Sequence, residues 1–85
     1  MNNIEGIISD LLAGYKKKYK EGFTSKEMND IINFIQEKYE VDMDKFNDRM
    51  LGNTAMVIDN EIITYPIDLY HALLAGITGK SSYFD

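Results

Sequence analysis

The sequence predicts an α+β fold, mainly α, with elements in the order α-α-α-β-β-α. Three observations predict it. Apolar residues recur at helical spacing through the first half of the chain. Two β-rich runs then flank Asp59-Asn60, a pair that tolerates positive φ. After Pro66, the one proline, helical spacing returns.

The first helix is expected from Asn2 or Asn3 to near Glu21. Ile4, Ile8, Leu11, Tyr15 and Tyr19 form one stripe, with Ile7 and Leu12 beside it. Asn2 can cap it, with Glu5 three residues on. Gly14 marks a bend or a close helix contact. Lys16, Lys17, Lys18 and Lys20 fall in its final turns, where cations oppose the negative end of the helix dipole. Gly22 supplies a left-handed cap and Phe23 the apolar residue after it.

The second helix starts at a capping box, Thr24-Ser25-Lys26-Glu27, with Phe23 and Met28 placed as a hydrophobic staple. Met28, Ile31, Ile32, Ile35 and Tyr39 form its buried stripe, and Phe34 falls off it. So short a connection predicts a helical hairpin with the first helix. A third helix is expected from Met43 to Leu51, capped by Asp42, stapled by Val41 and Phe46, and ended by Gly52-Asn53.

A two-stranded β-ribbon follows, residues 54–58 and 61–65. Pairing across its turn sets Val57 opposite Ile62 and Met56 opposite Ile63, leaving both faces apolar. Pro66 opens the C-terminal helix, where its missing N–H costs nothing. Ile67, Leu69, Tyr70, Leu73, Leu74 and Ile77 cover nearly half of that helix, and Asp68, His71, Ala72, Ala75 and Gly76 lie opposite. Gly79-Lys80-Ser81-Ser82 reads as a loop. The aromatics of Tyr83-Phe84-Asp85 predict a docked tail.

Eighty-five residues make a single domain, 1–85. A composition 45% apolar and 27% charged is that of a globular chain and not of a disordered one. The absence of cysteine removes disulfides, zinc-thiolate sites and cysteine nucleophiles. The N-terminus shows no basic segment leading into an apolar one. The longest nearly uncharged stretch, Leu69 to Thr78, is about half of the roughly 20 residues a membrane span needs. The expectation is a soluble, cytoplasmic protein with no membrane contact. The net charge is −5 and unevenly spread, with five lysines against three acids in residues 1–26 and eleven acids against four bases in residues 27–85.

No motif in the sequence meets the requirements of a catalytic, metal or cofactor site. Gly79-Lys80-Ser81 has the end of a phosphate-binding loop, yet Leu74 stands where the first glycine is required and a helix stands where a strand is required. Glu40, Asp42, Asp44 and Asp48 cluster, but an EF-hand counted from Asp42 finds Asn47 and Asn53 in place of its glycine and glutamate. His71, with Asp68 three residues before it, is the one histidine on which acid–base chemistry would centre, and its setting is that of a packing residue. Lys16, Lys17, Lys18 and Lys20, interleaved with Tyr15 and Tyr19, form the one cluster suited to a polyanion.

Three helices followed by a β-ribbon resemble a winged-helix DNA-binding domain in topology. The resemblance implies that the third helix reads DNA. That helix, however, sets Asp44 and Asp48 against Lys45 and Arg49, and the ribbon carries Asp59 and Glu61 and no base. Both elements would repel phosphate, so such a scaffold is expected to bind protein. The small size, acidic charge and Asn- and Ile-rich usage are also shared with short proteins of phages and other mobile elements, inhibitors of host proteins among them.

The expected function is therefore a non-enzymatic, acidic protein-binding module that binds itself or a partner, acting as an inhibitor by occluding a surface. A small domain buries only roughly 60% of its surface, and this one has more apolar faces than one core requires. The expected contact residues are Val57 and Ile62 on the ribbon and His71, Ala72, Ala75 and Gly76 on the last helix. The runner-up is a DNA- or RNA-binding regulator using the lysine-rich end of the first helix. At the level of stability, Thr24→Ala should lower the unfolding free energy by about 1 kcal/mol in a denaturant melt, because half of the capping box is lost.

Overall fold

The computed structural model describes residues 3–79. Asn2, the loop at Lys80-Ser81-Ser82 and the docked tail Tyr83-Phe84-Asp85 lie outside the described residues.

Four helices and three strands follow in the order α1 (Ile4–Gly14), β1 (Phe23–Thr24), α2 (Ser25–Lys38), α3 (Met43–Met50), β2 (Met56–Ile58), β3 (Glu61–Thr64) and α4 (Pro66–Thr78). The α+β class and the order of the helices and the ribbon are as the sequence predicts. The sheet differs. It is three-stranded and antiparallel, in the order β1-β3-β2, so β3 is central and not an edge.

The predicted capping devices set most helix ends. At α1 the cap is Asn3 and not the expected Asn2: its Oδ1 accepts from the Gly6 N–H at 3.0 Å. Both halves of the capping box form at α2: Thr24 Oγ1 accepts from the Glu27 N–H, and Glu27 Oε1 accepts from the Thr24 N–H. Asp42 Oδ1 accepts from the N–H groups of Asp44 and Lys45 to start α3. Gly52, at φ 83°, follows α3, and Gly79, at φ 76°, ends α4.

Helix α1 stops at Gly14, well short of the expected Glu21, and the predicted helical hairpin with its short connection is replaced by residues 15–24 as a loop, a turn and β1. The reason is tertiary. Once extended, Phe23 pairs with Thr64 and Thr24 with Ile63. The Tyr15 ring then meets Phe23 edge-on, at 5.9 Å between centroids. Lys18 donates its backbone N–H to Glu27 Oε2 at 2.9 Å, so the capping glutamate also holds the loop. Gly22 does not take the left-handed conformation expected of a helix cap. Its role is close approach, because a Cβ there would collide with the Thr64 carbonyl oxygen of β3.

The core centres on α4, whose Leu69, Ala72 and Leu73 are fully buried. Helices α1 and α3 both pack against α4, while α2 lies across β1 and β3. Ile8 and Leu12 from α1, Ile31, Ile32 and Ile35 from α2, and Phe46 from α3 complete one apolar cluster with Phe23. Between α3 and α4 the backbones meet at Gly76. Its carbonyl accepts from the Asp42 N–H at 2.8 Å, and a Cβ on it would stand 2.8 Å from Val41 Cγ1.

Two glycine substitutions separate these roles. Gly22→Ala should cost about 2–3 kcal/mol, because the obstructing atom is a strand carbonyl that cannot rotate away. Gly14→Ala, with open space around the new methyl, should raise stability by about 0.5 kcal/mol through helix propensity. Chemical denaturation of both variants measures the difference.

Candidate functional site

The β2–β3 hairpin turns at Asp59 and Asn60, both at positive φ (52° and 66°), the conformation of a two-residue turn whose twist suits the flanking strands. The register is the one the sequence predicts: Met56 opposite Ile63, Val57 opposite Ile62 and Ile58 opposite Glu61. Side chains alternate between sheet faces. Ile63 therefore points inward and is fully buried, whereas Val57 and Ile62 share the outer face and are 66% and 57% exposed. Two branched apolar side chains thus stand side by side in water on a short, ordered hairpin.

The lysine-rich loop fixes that hairpin in place. Lys18 Nζ bonds Glu61 Oε2 at 2.8 Å. Tyr19 Oη lies 3.1 Å from both Asp59 Oδ2 and Glu61 Oε2, and its single proton serves one carboxylate at a time. The hydrogen bond and charge of Lys18, reinforced by Tyr19, hold the Glu61 carboxyl below the usual glutamate range. The same hydrogen bond and the charge of Glu61 push the Lys18 ammonium up. Lys17 Nζ sits 5.5 Å from the centre of the Phe23 ring. Of the four expected polyanion contacts, Lys16 and Lys20 are exposed and make no ion pair or ring contact among the described residues, and the four stand in a loop and not in the final turns of a helix.

The residues expected for partner binding divide. Val57 and Ile62 are exposed. Ala72, Ala75 and Gly76 are buried, Ala72 completely, and the face they share receives α3 of the same chain at Gly76. The expectation that they form an outward surface is therefore corrected: small side chains let α3 approach, so the chain fills its own groove. His71 is half-buried at the same seam, where Arg49 Nη2 and His71 Nδ1 are 2.9 Å apart. Because guanidinium can only donate, His71 Nδ1 is the acceptor.

Sequence reasoning missed a shallow apolar groove between α1 and α4. Leu12 and Ala13 line one side, Pro66, Ile67 and Tyr70 the other, with Lys17 beside them, around about 400 Å³. Ile67 in it is 59% exposed. The signal was Ile67 itself, an apolar residue in the first turn of α4 and out of phase with the buried Leu69 and Leu73.

Among the described residues, no three histidine or carboxylate side chains converge as metal ligands would. Asp42, from the acidic cluster, is spent on its own backbone. No described helix is long and apolar enough to cross a membrane. No protein-family model, curated protein or solved structure matches the chain.

The sign of the Glu61 shift gives a pH prediction. A carboxyl depressed in the folded state adds stability above the ordinary glutamate range and loses it as pH falls through the folded value. Lys18→Ala should therefore move the Glu61 titration up toward the ordinary value and reduce the pH dependence of stability on the acid side. NMR titration of the Glu61 side chain measures the first effect, and melts across the acid range measure the second.

Proposed function

We propose that this chain is a small, acidic, non-enzymatic protein-binding module whose docking face is the outer side of the hairpin, Val57 with Ile62. The observation that carries the reading is the pair's exposure, 66% and 57%, on a hairpin held by turn geometry and by Lys18 and Tyr19. Exposed apolar side chains on an ordered element are the usual core of a docking patch. Asp59 stands at the adjacent turn, and the net charge is −5 overall. Such a surface suits a protein with a basic rim around an apolar recess, and its mode of action is occlusion, as an inhibitor of the kind mobile elements carry. A nucleic-acid enzyme is one class of target with such a rim.

Nucleic acid is a poorer fit. The exposed side of α3 offers Asp44, Asn47 and Asp48, and of the lysine cluster Lys18 is already neutralised by Glu61.

Affinity capture from lysate of the source organism tests the proposal. Wild type should retain a protein that Val57→Glu combined with Ile62→Glu loses, while Lys16→Ala with Lys20→Ala retains it. A complex with DNA or RNA that is lost with the two lysines and with rising salt would replace this reading with the polyanion one.

A further inference from the structure

Strand β2 is an edge, and its hydrogen-bonding pattern singles out one residue. In a hairpin with a two-residue turn, the residues flanking the turn exchange both backbone hydrogen bonds, and such pairs alternate along the ladder. Ile58 with Glu61 and Met56 with Ile63 are the bonded pairs in this register. Val57 with Ile62 is the non-bonded pair. The N–H and C=O of Ile62 point toward β1, and those of Val57 point away from β3, off the open edge of the sheet. No hydrogen bond to either group of Val57 is present among the described residues. Val57 therefore offers an unpaired donor, an unpaired acceptor and an exposed apolar side chain at one position.

We propose that β2 pairs antiparallel with β2 of a second copy of this chain, about a two-fold axis at Val57, to join two three-stranded sheets into one. The joined sheet leaves the outer Val57–Ile62 face open, so this pairing uses the edge beside the proposed docking face and goes beyond that reading. Three features favour a second copy. Under the two-fold, Val57 meets Val57 and the two residues exchange both free backbone bonds, which is the geometry of an isologous contact. Within β2 the neighbouring register sets Met56 against Ile58 of the other copy, so apolar meets apolar and no like charges stand opposite. The two Asp59 carboxylates are offset by four residues along the strands, ~13 Å, which exceeds the ~8 Å screening length at physiological salt. Glu61, the other acid of the hairpin, is already opposed by Lys18.

A short edge makes a weak interface, so sedimentation equilibrium of the full chain should run up to about 1 mM. The average mass of wild type should rise from one chain toward two, and more readily at high salt, since both copies are acidic. Val57→Lys and Val57→Asp should each stay at the mass of one chain while keeping the wild-type circular dichroism spectrum. Mixed in equal amounts they should recover the two-chain mass, because the axis brings residue 57 of each copy together. Wild type that stays monomeric throughout overturns self-pairing, as does a dimer that both variants keep or a mixture that fails to recover it. If wild type is monomeric and Val57→Glu with Ile62→Glu still loses the captured protein, self-pairing falls and the docking face stands.

Discussion

The structure depends on a two-residue strand. Phe23 and Thr24 pair with Thr64 and Ile63 and so join the N-terminal half of the chain to the hairpin. A lone two-stranded ribbon is marginal in water. With β1 in place, β3 is bonded on both sides, and α2 begins at the end of β1, so it is laid across the sheet. Glu27 serves both ends of this arrangement, closing the capping box on Thr24 and taking the Lys18 N–H of the incoming loop. Gly22 permits the approach because any side chain there would strike the Thr64 carbonyl.

The same pairing decides what the surface offers. Ending α1 at Gly14 releases residues 15–22 to run along the hairpin, where Lys18 and Tyr19 meet Asp59 and Glu61. A sequence segment that looks like a polyanion site is thereby turned inward on the protein's own acids. The four groups share the hairpin tip, and their mutual attraction is modest because each is solvent-facing. Their effect is geometric: they hold the ribbon whose outer face carries Val57 and Ile62.

Helix α4 shows how a small chain satisfies an apolar element from several sides. It meets α1 and α3, and its small residues matter as much as its large ones. Gly76 lets the Val41-Asp42 backbone come within hydrogen-bonding distance. This close contact fills the face that the sequence leaves open and removes it from the exposed apolar surface, which includes the hairpin pair and Ile67 along with Leu51 and Phe34.

Local chemistry determined the helix starts at Thr24, Asp42 and Pro66, and the hairpin register through Asp59-Asn60. Each rests on interactions spanning a few residues, so each was legible from the sequence alone. The exposed pair Val57 and Ile62 followed from that register, because alternation assigns them one face. The end of α1 was not legible, since Tyr15 and Tyr19 continue its helical spacing and only contacts with Phe23, Asp59 and Glu61, distant in sequence, make the extended course preferable. Nor was the fate of Ala72, Ala75 and Gly76, because a face of small residues admits any helix of suitable shape. Tertiary packing chose α3 of the same chain, since a tethered helix reaches that face without the entropic cost of bringing in a second molecule.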